Sequence, residues 1–339
     1  MQTKALNDLT TPSEQLQRIG MGFCGSVWAG TSALSNDETT SQPVACMKRE
    51  DGGSGRSLAN EYEIHQLVNA AITSKPQYVT KFSVPLCYGF LRKYHAQWPG
   101  IIPRLPSGST ACNALLSEKV QPVSDNARRL LTTIYAQGLD HEAILDDPKN
   151  QHCLVRPYLG RRRHKIRRLG RPTFFSLRNF PLHLDQMEGL GISIDPYAIS
   201  MAEALAFLLW VVRIDANDIE FVLGHTNPDA NNPLMIGNFG VLGPHSLWIM
   251  DFDCCRRLPM DEEGVGIAAR CFWRNDPFYP RPGSWNSPDQ RLWSIFRQHF
   301  LQASERMLQD EEASVRNLPA LLIKKIIETR GAYDRGIIT

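Results

Sequence analysis

The chain has 339 residues, with 37 Lys and Arg against 35 Asp and Glu, a formal net charge of +2. Apolar residues make up 42% and charged residues 21%, which argues against a disordered chain and allows one large or two ordinary domains. The longest wholly apolar run, Ala204 to Val212, is too short for a bilayer, and the N-terminus lacks a signal-peptide core. The expectation is a cytoplasmic or nuclear protein without a membrane span. Eight cysteines with no CxxC pair point away from a disulfide framework or a zinc ribbon.

Residues 1–16 are polar and read as a flexible tail. Arg18 to Lys48 predicts a glycine-rich hairpin, a polar loop over Thr31 to Gln42, and a strand over Val44 to Lys48. Leu58, Tyr62, Ile64, Leu67 and Val68 mark a helix with one apolar face. Val84 to Arg92 and Ala114 to Val120 read as strands, and residues 121–153 as helical in part. Asp195-Pro196 predicts a helix start with Asp195 as N-cap, followed by a helix apolar all round near Trp210 and so buried at its end. Phe221 to Leu223 and Leu247 to Met250 read as strands on either side of an inserted loop, 224–245. Ser287-Pro288 starts another helix, and Leu318 to Ile327 forms a last one. Strands therefore dominate 17–120 and helices 121–330, an α+β chain in two parts.

Gly20, Gly22 and Gly25 belong to a GxGxxGxV string that continues as strand rather than opening a helix. Such glycines let backbone N–H groups approach phosphate oxygens; a plain turn is the alternative. Lys48 ends its strand within reach of that loop, and Glu61, with Glu63 as competitor, lies on the following helix. Asp215 follows the buried helix in a loop rich in polar groups, placed either to deprotonate a hydroxyl or to cap a turn. Asp251 and Asp253, two apart at the end of an apolar strand, share a face suited to a divalent cation.

In this order the parts resemble a two-lobed protein-kinase-like fold from about Arg18 to Ser304, with a small β-rich lobe and a larger helical one. The resemblance implies an ATP cleft. Gly20, Gly22 and Gly25 would cover the phosphates, and Lys48 would contact them and pair with Glu61. Glu118 and Lys119 would form the adenine-reading hinge. Asp215 would be the catalytic base, and Asp251, with Glu220, would hold magnesium. Departures from the kinase pattern are plain. Arg213-Ile214-Asp215 replaces H-R-D, Glu220 stands where an asparagine is usual, Asp253 replaces the glycine of D-F-G, and no A-P-E follows.

The strings Leu154 to Gly160, Ser176 to Leu182, Ile214 to Val222, Leu247 to Asp253 and Asn275 to Pro282 also resemble a fungal family of unknown function labelled "zinc finger protein". That label implies zinc, yet no paired Cys/His spacing of a finger occurs here. A zinc site is not expected.

Arg156, Arg161, Arg162, Arg163, Lys165, Arg167, Arg168 and Arg171 form a basic segment without an acid among them. It reads as an exposed loop paired with acids elsewhere, an import signal, or a docking surface for an acidic partner at Arg161 to Arg168. Aromatics are not interleaved, so nucleic-acid binding is not favoured. Three functions stay open: a degenerate kinase-like nucleotide binder acting as regulator or scaffold, an active phosphotransferase on an unidentified protein or small molecule, and a nuclear DNA-associated regulator.

Overall fold

The computed structural model describes Asn7, Leu9 and residues 15–30, 44–79, 81–163, 174–225 and 240–334. Most of the tail, the polar loop after the hairpin, the basic residues Lys165, Arg167, Arg168 and Arg171, and most of the inserted loop lie outside these residues.

The architecture is α+β. Strands β1 (Leu16–Met21) and β2 (Ser26–Gly30) pair as an antiparallel hairpin. β3 (Ala45–Arg49) follows, and after helix α1 (Leu58–Ser74) come β4 (Cys87–Leu91) and β5 (Ala114–Glu118). The sheet order is β1-β2-β3-β5-β4. Pairing of Val27 with Lys48 and of Lys48 with Leu115 puts Lys48 in the central strand, next to the hairpin. Helix α1 begins where the Ser57 hydroxyl caps the Asn60 N–H. It buries Leu58, Glu61, Ile64, His65 and Val68, so its buried stripe carries a carboxylate and an imidazole one turn apart.

The remainder is mainly helical: α2 (Asp125–Tyr135), α3 (His141–Asp146), α4 (Leu184–Gly189), α5 (Asp195–Ala206), α6 (Glu262–Arg274), α7 (Ser287–Met307) and α8 (Leu318–Asp334). A second sheet, β7-β6-β8-β9, joins β6 (Val155–Tyr158), β7 (Phe180–His183), β8 (Glu220–Gly224) and β9 (Ser246–Met250). The helix α6 and the strands β6 and β7 were not foreseen: Pro157 and Pro181 within four-residue strands mask the extended pattern. Asp195 is not the N-cap expected of it. That position falls on Ile194, and Asp195 lies in the first helical turn, where it pairs with Arg291.

Helix α5 widens into a π-turn over Phe207–Val212 and ends at Arg213, whose φ is +61°. Asp195–Val212 has the length and apolar composition of a membrane span, but 78% of it is buried inside the protein. It packs on α7, where the Trp210 indole donates to the Ser304 hydroxyl at 2.8 Å. One hydrophobic core runs from Ile64 and Val68 of α1 through α5 to Ile326 of α8, and a smaller one lies under the first sheet around Trp28, Met47 and Leu116. The first half is stitched to the second by backbone bonds from Ser83 to Leu247 and Ile249.

Candidate functional site

Lys48 is the centre of the site. Its ammonium donates to Glu61 Oε2 and to Asp251 Oδ1, both at 2.8 Å. Burial pulls its pKa down, but the two carboxylates hold it well above the usual lysine range. For Glu61 burial pushes the carboxyl up, and Lys48 pulls it back. The competitor Glu63 is exposed, so helix phase selects Glu61. Asp251 follows β9 with a φ of +68°, and Phe252 behind it is fully buried against the His65 ring at 5.4 Å. Strand pairing of Glu220 with Met250 brings Glu220 into electrostatic reach of Asp251 and Lys48. Glu220 is already held by Arg156 at 2.5 Å, an ion pair between residues far apart in the chain.

The glycine hairpin lies beside this centre in the sheet, with Val27 of β2 paired to Lys48. Gly22 N–H donates to Gly25 O at 2.8 Å, and the tip is tied down by Gly52 and Gly53, which donate to Cys24 and Phe23 carbonyls. Gly25 has a φ of +152°, and a Cβ there would meet Arg49 O at 2.0 Å. Gly22 has open space around it, and a Cβ on Gly20 would only touch Val27 at 3.2 Å.

Asp215 has separate partners. Its Oδ1 accepts from the backbone N–H of Asn217 at 3.1 Å and of Arg256 at 2.9 Å. Burial raises its pKa, and those two donors oppose the rise. The loop around it is tightly wound, with positive φ at Arg213, Ala216 and Asp218. Glu118 ends β5 and Lys119 lies just past it, so the strand stops short of the Val120 expected for it, and their N–H groups donate to Leu86 and Val44 carbonyls. Any base recognition at this strand end therefore falls to carbonyl oxygens or to the next residues.

Several contributors escaped the sequence reading. Arg56 binds Asp253 Oδ1 at 2.7 Å and Asp218 Oδ2 at 2.8 Å, and stacks on Phe23 of the hairpin tip. Asn60 donates to the Asp253 and Cys255 carbonyls. Arg161 pairs with Asp276, Arg162 with Glu188 and Asp289, and Arg163 with Asp185. For these three, pairing with internal acids is the reading the structure supports.

Among the described residues, one group of three or more potential ligands lies close enough to share a metal ion: Asp218, Asp253 and Cys254, within 4.8 Å of one another. It does not fit structural zinc. Arg56 already bonds both carboxylates, and three ligand atoms fall short of the four that a structural zinc takes. All eight cysteines are free. A family model described as "Zinc finger protein", a domain of unknown function, matches residues 247–312, from β9 to just beyond α7. No curated protein matches the chain.

Proposed function

We propose that the chain is a degenerate, kinase-like nucleotide-binding protein with a regulatory or scaffold role. The observation that carries this reading is Lys48 bonded at once to Glu61 and Asp251. A lysine held by a helix carboxylate and touching a strand-end acid suits an ammonium meant for nucleotide phosphates, beside an acid meant for their magnesium. The glycine hairpin beside it in the sheet and the β1-β2-β3-β5-β4 order support the same reading. Asp251, with its side chain 30% exposed, has room for a cation that arrives with the nucleotide. Glu220 is tied to Arg156 and Asp253 to Arg56, which weakens both as metal ligands and favours binding over turnover.

The test is titration with ATP, with and without magnesium, followed by thermal shift and calorimetry on wild type, Lys48→Ala and Asp251→Asn. At ten-fold excess over the dissociation constant, binding stabilises by about 1.4 kcal/mol. Stabilisation of the wild type and its loss in both variants is expected; no response at millimolar ATP overturns the reading. One observation favours an active phosphotransferase instead: Asp215 is a buried carboxylate with a raised pKa, as a base requires. ADP release that disappears in Asp215→Asn would select it.

A further inference from the structure

A cavity of about 310 Å³ lies behind the end of β5, between α2, α3 and the 151–152 turn. Its size is at the small end of small-molecule sites. Lys119, Arg128 and His152 line it, with Asp125, Asp146 and Gln151. Lys119 is only 3% exposed and His152 only 8%. Both ring nitrogens of His152 are buried without a hydrogen-bond partner among the described residues. A buried imidazole normally has a partner, so this ring marks a place where a further polar group is expected.

The charge around it has a sign. Arg128 is locked in place by Asp125, Asn150 O and Leu145 O. Its charge is thereby fixed beside the cavity. Burial, with Lys119 and Arg128 adding to it, lowers the His152 pKa to about 4, and burial lowers Lys119 to about 8. Both shifts are reversed by a negative charge placed between the two side chains. Asp125 is engaged by Arg128, and Asp146 is exposed at the rim, so neither supplies that charge in the interior.

We propose that this cavity binds a small oxyanion, a carboxylate or phosphate group, between the Lys119 ammonium and the His152 ring. The site shares Lys119 with the strand end proposed as the nucleotide hinge, but its other basic lining residues, Arg128 and His152, belong neither to the Lys48 centre nor to the glycine hairpin. His152 donates one N–H to the anion, and Lys119 supplies the charge-assisted bond.

The experiment is calorimetry and histidine-resolved NMR of the full chain, with inorganic phosphate and with citrate as separate probes. The expected result is a saturable shift of the His152 ring signals by at least one probe, with a dissociation constant at or below about 1 mM. Which probe acts separates phosphate from carboxylate chemistry. Lys119→Met should weaken that binding roughly tenfold, the loss of one charge-assisted bond. No change at His152 with either probe overturns the proposal, leaving a cavity that holds water only. So does binding that survives unchanged in Lys119→Met. If that variant fails to fold, the His152 response of the wild type decides alone, because an anion at the glycine hairpin would leave those signals unmoved.

Discussion

Lys48 joins two carboxylates across more than half the chain, at 2.8 Å from each. Its removal by Lys48→Met leaves Glu61, which is 4% exposed, as a buried charge without its partner. Breaking a buried pair in this way costs roughly 3 kcal/mol or more. The cost depends on pH with a definite sign. The folded-state pKa of Glu61 lies above its unfolded value, so the folded state binds more protons than the unfolded state and stability falls as pH rises through that window. Lys48 opposes the shift, so the variant should lose more stability at about pH 8 than at about pH 5.5, read by urea unfolding. Equal losses at the two pH values would show that Glu61 does not carry the effect. The lysine was legible from its strand-end position, and helix phase then chose Glu61 over Glu63. Arg56 was not legible, because nothing in its local sequence announces two acids from distant loops.

The hairpin of β1 and β2 shows how one motif divides into different physical jobs. Its three glycines look alike in sequence. In space, Gly25 sits at positive φ with no room for a methyl group, whereas Gly22 has room to spare. Gly25→Ala should destabilise the protein by about 1–3 kcal/mol through strain and contact with the Arg49 carbonyl. Gly22→Ala should stay within about 0.5 kcal/mol of wild type, and any loss of nucleotide binding there would come from the approach of phosphate alone. Thermal melts with and without ATP separate the two. If Gly25→Ala melts like the wild type, the tight turn is not what holds the hairpin. The π-turn ending α5 is the opposite case: its apolar run was readable, but the widening that delivers Arg213 in a left-handed conformation depends on packing against α7 and was not.

Across the molecule, buried histidines should contribute to the response to acid. Burial lowers the pKa of His65 and His152 to about 4, and that of His245 in the same direction. These bases take up protons more readily in the unfolded chain, so their contribution to stability is lost as pH falls below the unfolded value near 6.5. For His65 alone the loss at pH 5 is about 2 kcal/mol. Glu61 acts in the opposite sense over the same range, so single-site variants are needed to see either. His65→Leu, which keeps an apolar contact to Phe252, should flatten the fall in melting temperature between about pH 6.5 and pH 5. An unchanged slope would assign the acid response elsewhere.

Composition, spacing and periodicity alone determined the α+β class, the hairpin, the strand carrying Lys48, the helix carrying Glu61 and the strand leading to Asp251. These are local patterns, and each is written in consecutive residues or in one helical turn. Tertiary structure alone decided that Lys48 meets Asp251, that Arg156 and Arg56 occupy Glu220 and Asp253, and that Lys119 and His152 share a cavity. Those pairings join residues far apart in the chain. They arise when the packing of α1 and α5 into one core removes charged groups from water, and each such group must then find its partner across the fold.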